Sequence, residues 1–224
     1  LLVQEADCLE VDVQISADSQ FILYHDTKLE SGTNDTGFIS QKTWNELNKV
    51  SRRDGGTAIF KEIRLWRLSD LLVYIDSLNL DVYLSLNVQN QYEVIDQKVY
   101  NERFIAGLGE LLKNYSNLSK VIIESRDHDF VKMSRLTAEV LGMKLFYIGE
   151  LTEENLTKTG PYVDGFVTNY LDETKSTVDY AKELGYDISV YGVKIRQDIN
   201  PAIEFQPDYI QTDNVPLTLS FLGR

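Results

Sequence analysis

Short apolar runs alternate along this chain with amphipathic segments. The runs are rich in β-branched and aromatic residues, which is typical of strands that are buried on both faces. They predict strands at residues 8–15, 21–24, 82–88, 120–124, 144–148, 165–168, 188–193 and 209–212. Apolar residues at helical spacing predict helices at residues 68–78, 103–115, 130–141 and 175–184, and a capped helix start at 152–156.

The order of these elements predicts the fold class. Strands that alternate with helices form right-handed crossovers, which produce a parallel sheet. The first two strands are different, because the segment "SADSQ" between them is too short for a crossover and predicts a hairpin. Without the second arm of that hairpin, one strand is lacking for an eight-stranded barrel. We therefore expect an α/β fold of the (β/α)8 TIM-barrel type, with the first barrel strand missing from this chain.

An open, doubly wound sheet is the alternative to the barrel. No glycine-rich phosphate-binding turn follows any predicted strand, which favours the barrel. A long segment, residues 27–67, separates the hairpin from the next helix and contains a short predicted helix within "SQKTWNELNKV". Loops of this length in a compact domain are usually functional. We predict that residues 1–224 form a single domain, with a small inserted subdomain at about residues 27–67.

Composition narrows the range of partners. The net charge of −13 and the pI near 4.6 argue against a nucleic-acid-binding face, because phosphates would be repelled. No run of 18 apolar residues is present, so stable membrane insertion is not expected. The single cysteine, Cys8, excludes an intramolecular disulfide. The sequence leaves the oligomeric state undetermined, and the compartment open between export and the cytoplasm.

Candidate chemistry is concentrated on the first hairpin. Glu10 and Asp12 are two residues apart on a strand and therefore face the same side, and the return strand ends in His25-Asp26. Paired carboxylates suit Ca²⁺ or Mg²⁺, and a nearby histidine suits proton transfer. Together they favour phosphoryl chemistry. The alternative interpretation is that both acids pair with basic residues and that His25 is a structural hinge residue.

Active sites of (β/α) barrels lie at the C-terminal ends of the strands. That rule adds candidates from the later strands: Asn87, Gln89, Glu124, Ser125, Arg126, Asp127, Thr168, Asn169, Tyr191, Lys194, Thr212 and Asp213. We expect the candidates that serve a site to meet at one rim of the barrel.

The stretch "LEVDVQISADSQFILYHDTKLESGTNDTG" resembles the signature of the glycerophosphodiester phosphodiesterases. That signature runs E-x-D-V, D-G, a short apolar strand, H-D and a turn that contains T-x-G. The residues in register are Glu10, Asp12, Asp18, His25, Asp26, Thr33 and Gly37. Similarity continues through "IRLWRLSDLLVYI", "KVIIESRD" and the last three strands, so it covers essentially the whole chain.

The resemblance implies a (β/α)8 barrel with an inserted subdomain and a metal-assisted hydrolase that releases an alcohol and glycerol 3-phosphate. It implies that Glu10 and Asp12 bind Ca²⁺ or Mg²⁺ and that His25 protonates the leaving alcohol. In this family the substrate's glycerol hydroxyl is taken to attack phosphorus, and a cyclic phosphate is then hydrolysed. The family's second histidine belongs to a His-Arg-Gly on the first strand, so His128 is expected to be a surface loop residue.

One motif departs from the family pattern. Where the family has Glu-x-Lys at a strand end, this chain has Asn87 and Gln89. An amide oxygen of Asn87 still offers a metal ligand, but the lost charge should lower the affinity. Gln89 would bind substrate in place of the lysine, Arg126 and Lys194 would supply positive charge, and Tyr191 would line the pocket. The alternative function is a catalytically weakened or inactive barrel that binds a phosphorylated or polyol ligand.

Overall fold

The computed structural model describes residues 6–52 and 63–224. The strands are β1 (Cys8–Ile15), β2 (Phe21–Leu23), β3 (Trp66–Arg67), β4 (Tyr83–Val88), β5 (Val121–Ser125), β6 (Lys144–Ile148), β7 (Gly165–Asn169), β8 (Asp187–Val193) and β9 (Tyr209–Thr212). The helices are α1 (Trp44–Leu47), α2 (Leu68–Ser77), α3 (Gln97–Leu112), α4 (His128–Leu141), α5 (Glu153–Lys158), α6 (Lys175–Glu183), α7 (Arg196–Glu204) and α8 (Val215–Phe221). Across these ranges no helix has both the length and the apolar character that crossing a membrane requires.

The eight predicted strands are all observed, each within one residue of its predicted ends. Helix α3 begins at Gln97, earlier than predicted, because the Asp96 carboxylate accepts a hydrogen bond from Val99 N and caps the helix. Helices α7 and α8 and the two-residue β3 were not predicted. Helix α7 has few apolar positions and contains Pro201, so its sequence lacks a helical signal.

The strands form one sheet in the order β3-β2-β1-β4-β5-β6-β7-β8-β9. Each neighbouring pair from β5 to β9 is parallel, whereas β1 and β2 form the predicted antiparallel hairpin. Within the described ranges this order has two ends, so the sheet is not closed into a barrel. The strands other than β2 and β3 are the set predicted for the barrel, and the predicted α/β class is confirmed.

The described residues divide into two compact units. The first unit consists of residues 6–10, 82–85 and 119–224. Its apolar core contains Ile122, Phe146, Ile148 and Val167, with Tyr83, Tyr191 and Tyr209 packed against them. Each of these residues lies on one of the strands β4 to β9.

The second unit consists of residues 11–52, 63–81 and 86–118. Its core includes residues of the hairpin and of the predicted insertion: Ile22, Tyr24, Leu29, Ile39, Leu47, Val50 and Leu65. The insertion is therefore packed onto the hairpin that carries the candidate histidine. Residues 53–62 of the predicted subdomain lie outside the described residues, and the single-domain assignment remains a prediction.

Gly165 tests the packing at the start of β7. A methyl group at this position would overlap the Asp187 carbonyl oxygen and lie 2.8 Å from the Phe146 ring. We expect Gly165→Ala to lower the free energy of unfolding by about 1–3 kcal/mol, because backbone in a parallel sheet cannot move aside easily. Urea unfolding would measure the change, and a loss smaller than about 0.5 kcal/mol would contradict this description of the packing.

Candidate active site

Asp12 and Gln89, predicted to have different roles, are in direct contact in the second unit. The Gln89 side-chain amide donates a hydrogen bond to Asp12 Oδ1 at 2.8 Å. The Gln89 main chain is fixed at both of its polar groups, because its N–H donates to Val13 O at 3.0 Å and its carbonyl accepts from Tyr100 Oη at 2.6 Å. The amide that replaces the family's lysine therefore orients the carboxylate predicted to bind a cation.

The charged form of Asp12 is disfavoured in the folded protein, mainly by burial. Burial raises the pKa of Asp12 above its ordinary value, and the carboxylate of Asp26 raises it further. The neighbouring His25 and the hydrogen bond from Gln89 act in the opposite direction without reversing the shift. Since the ionised carboxylate is only partly compensated, a bound cation would lower the cost of keeping it charged.

The hairpin places His25 beside the Asp12 strand. Tyr24 N donates to Asp12 O at 3.1 Å, so the residue before the histidine is hydrogen-bonded to the residue predicted to bind a cation. The His25 side chain is 73% exposed, and its Nδ1 lies 2.9 Å from Asp26 Oδ1. A carboxylate beside Nδ1 favours the tautomer that is protonated there, which leaves Nε2 to exchange a proton with a substrate.

Glu10 and Asn87 complete the predicted set of cation ligands. Glu10 is exposed on β1, two residues before Asp12, and Asn87 is half-buried on β4, two residues before Gln89. In the ranges that the structure describes, no group of three or more His, Cys, Asp or Glu side chains is arranged to hold a metal ion. Two carboxylates and an amide oxygen are donor types that suit Ca²⁺ or Mg²⁺. Glu10 belongs to the first unit, and Asp12 and Asn87 belong to the second.

The predicted substrate-binding residues of the first unit follow β5 and β8. The Arg126 guanidinium lies over the Tyr191 ring, 5.7 Å from its centroid, and Nη2 is 3.5 Å from the Tyr191 hydroxyl. Lys194 is exposed, and its loop is fixed because the N–H groups of Lys194 and Ile195 both donate to the Asp198 carboxylate. The structure therefore pairs Arg126 with Tyr191 and presents Lys194 on an ordered loop.

One expectation from the sequence is corrected, and one strand-end candidate is buried. His128 is not a surface loop residue: it is half-buried at the start of α4, and its Nδ1 lies 3.2 Å from Thr159 Oγ1. Glu124, one of the strand-end candidates, is only 2% exposed and accepts hydrogen bonds from Ser85 Oγ and Gln211 Nε2. Glu124 is therefore part of the interior of the first unit.

The free thiol lies close to that buried carboxylate. Burial raises the pKa of Cys8 to about 12, and the charges of Glu124 and Glu10 add to the effect. Because the thiolate is the reactive form of cysteine, the raised pKa disfavours reaction of Cys8 at neutral pH, and no role in nucleophilic catalysis is assigned to it.

Two glutamines beside the site were missed in the sequence. Gln14 on β1 and Gln91 after β4 are fully buried, and both contact the main chain around His25. Glutamine on a strand or in a loop is ordinarily a surface residue, so nothing in a single sequence marks these two as buried. Their burial and their contacts with the main chain around His25 are evident only in the folded hairpin.

Asp12→Asn tests the burial of the site carboxylate. A raised pKa means that Asp12 contributes stability below the ordinary aspartate value of 3.8, and that this contribution is lost as the pH rises through the raised value. At neutral pH the asparagine variant should therefore unfold at a higher temperature than wild type, since its Oδ1 still accepts from Gln89. The difference should shrink as the pH falls towards 3.8. Thermal unfolding monitored by circular dichroism would measure it, and a lower unfolding temperature at neutral pH would contradict it.

The chain is similar to known proteins along nearly its whole length. Residues 2–217 match the Glycerophosphoryl diester phosphodiesterase family. A glycerophosphodiester phosphodiesterase of Caldanaerobacter subterraneus is 25% identical over 222 residues, which is 98% of this chain and 86% of that protein. The uncharacterised Bacillus subtilis protein YqiK is 23% identical over 159 residues, so the match spans 65% of this chain and only 61% of YqiK.

A solved structure shares the fold. The phosphodiesterase of Oleispira antarctica, determined in complex with the product sn-glycerol-3-phosphate, has a TM-score of 0.78 at 16% identity. The similarity covers 100% of this chain and 87% of that one. Structural relatives of this kind are TIM barrels, which confirms the predicted fold type, although the sheet described here is open. The chain belongs to the glycerophosphoryl diester phosphodiesterase family.

Proposed function

We propose that the protein hydrolyses glycerophosphodiesters and releases an alcohol and glycerol 3-phosphate. Family membership over residues 2–217 is the observation that carries the proposal. The Oleispira antarctica relative, solved with sn-glycerol-3-phosphate, supports a small phosphorylated molecule as the product. The contact between the His25 hairpin and the Asp12 strand supports a reaction that combines a proton donor with a charged phosphate.

His25 is proposed to donate the proton that the leaving group needs. When the bond between phosphorus and the alcohol oxygen breaks, that oxygen becomes an alkoxide unless a proton reaches it. The Asp26 carboxylate beside Nδ1 stabilises the protonated imidazole, and Nε2 carries the transferable proton. In the overall reaction one water molecule is consumed, its elements divided between the alcohol and glycerol 3-phosphate.

Glu10, Asp12 and Asn87 are proposed to hold the divalent cation, Ca²⁺ or Mg²⁺, which would neutralise charge on the phosphoryl oxygens. Gln89 keeps one oxygen of Asp12 hydrogen-bonded, which restrains the orientation of that carboxylate. Hydrogen-bonded support of this kind orients ligand carboxylates. Arg126, Lys194 and Tyr191 are proposed to contact the substrate: the two cations through the phosphate, and the aromatic ring through the glycerol or the leaving alcohol.

A second function, ligand binding without turnover, is favoured by one observation. Gln89 donates to Asp12 at the position where the family has a phosphate-binding lysine, and Asn87 lowers the negative charge available to a cation. Such a barrel would bind a phosphorylated or polyol ligand but would not cleave it. Measurable turnover separates the two functions.

His25→Ala tests the proposed reaction. The full-length protein should cleave glycerophosphocholine in the presence of Mg²⁺ or Ca²⁺, and the variant should lose about 10²- to 10⁴-fold in kcat, the contribution expected of a general acid. Release of glycerol 3-phosphate measures the rate. His128→Ala, which changes the chain's other histidine, is the matched control and should retain activity. Cleavage that survives His25→Ala would overturn the role of His25, and binding without cleavage would favour the second function.

Asn87→Glu tests the proposed cation site. Restoring a carboxylate should raise the affinity for Mg²⁺ or Ca²⁺, because affinity in oxygen-ligand sites rises with the number of charged ligands. Asn87→Gln keeps the amide and is the control for a change in side-chain length. Calorimetric titration measures the affinity without reference to turnover. Equal cation affinity in wild type, Asn87→Glu and Asn87→Gln would show that Asn87 is not a ligand.

A further inference from the structure

Gln14 holds the main chain on both sides of His25. It is fully buried, on β1 two residues after Asp12. Its side-chain Nε2 donates to Tyr24 O at 2.8 Å and to Asp26 O at 2.9 Å. These are the carbonyl groups immediately before and after the histidine, so one amide group spans the residue that the proposed reaction needs.

Gln91 is hydrogen-bonded to the side chain of Gln14. It is also fully buried, and its Nε2 donates to Gln14 Oε1 at 2.5 Å and to Thr27 O at 3.0 Å. Its Oε1 accepts from the Ser40 hydroxyl at 2.9 Å and from Ser40 N at 3.4 Å. All four N–H bonds of the two amides are thereby used, and the orientation of each amide is set by its partners.

The free-energy cost of burying two amide groups indicates that Gln14 and Gln91 have a role beyond packing. A buried amide costs free energy unless it is fully hydrogen-bonded, so an apolar residue is the ordinary choice inside a sheet. Strand β2 ends at Leu23, and the carbonyls of Tyr24, Asp26 and Thr27 follow it. The two glutamines donate hydrogen bonds to these three carbonyls, so the carbonyls do not need water molecules as donors. The His25 side chain is 73% exposed, so its position depends strongly on the main chain beneath it.

We infer that Gln14 and Gln91 are positioning residues for His25. They fix the turn from Tyr24 to Thr27, and through it the place from which the imidazole donates its proton. This inference rests on the proposed function, because it assigns the two amides to the reaction that His25 performs. Neither glutamine contacts the substrate in this account, and both act through the main chain.

Gln14→Met and Gln91→Met are the test variants, because methionine has nearly the length of glutamine and donates no hydrogen bond. We expect kcat for glycerophosphocholine to fall about 10- to 100-fold while KM changes less than about threefold, since a displaced proton donor slows the reaction without removing a binding contact. Asn101→Leu is the matched control: it removes another fully buried amide of the second unit, which accepts from Tyr92, and it should leave kcat unchanged.

The chain has only two histidines, which allows a direct spectroscopic reading. In a proton–carbon NMR spectrum, the imidazole signal of His25 should move or broaden in both methionine variants, and that of His128 should stay in place. If wild type has no turnover, the proposed function fails, and the His25 signal still decides the positioning. Gln14→Asn, which keeps the amide group but is one methylene group shorter, replaces Gln14→Met if that variant does not fold. An unchanged His25 signal with kcat within twofold of wild type would overturn the inference.

Discussion

The hydrogen bond from Tyr24 N to Asp12 O is the interaction on which the candidate site depends. This hydrogen bond fixes the register of the end of β2 against β1. His25, the residue after Tyr24, therefore leaves the sheet beside Asp12. A shift of one residue would turn every side chain of β2 to the opposite face and carry the histidine away. Ile22 of the same strand is buried in an apolar cluster with Leu29 and Ile39.

Asp12 is a carboxylate whose burial lowers the stability of the second unit at neutral pH. Its carboxylate is buried enough for the pKa to rise, and Gln89 and His25 compensate only part of that effect. A neutral side chain would suit the fold better at neutral pH. A charged group that the fold tolerates rather than requires is characteristic of functional sites, where perturbed pKa values concentrate. A bound cation of the kind that the family resemblance implies would offset the cost of burying this carboxylate.

The strands and the acidic and histidine residues of the hairpin could be predicted from the sequence, because apolar runs and the spacing from Asp12 to His25 are local patterns. Helix α7 could not, since its few apolar positions and Pro201 give no helical signal. The same limit applies to Gln14, Gln91 and the burial of Glu124. The hydrogen-bond partners and the exposure of a polar strand residue depend on the neighbouring strands. A single sequence therefore does not show them.

Asn87 and Gln89 are the residues at which this chain departs from its family, and the structure gives Gln89 a definite contact with Asp12. The altered site is proposed to cleave its substrate, and phosphorus NMR follows that cleavage without a coupled assay. Glycerophosphocholine incubated with the full-length protein and Mg²⁺ or Ca²⁺ should lose its diester signal and yield the monoester signal of glycerol 3-phosphate. An unchanged diester signal, at protein and cation concentrations that give measurable binding, would contradict the account.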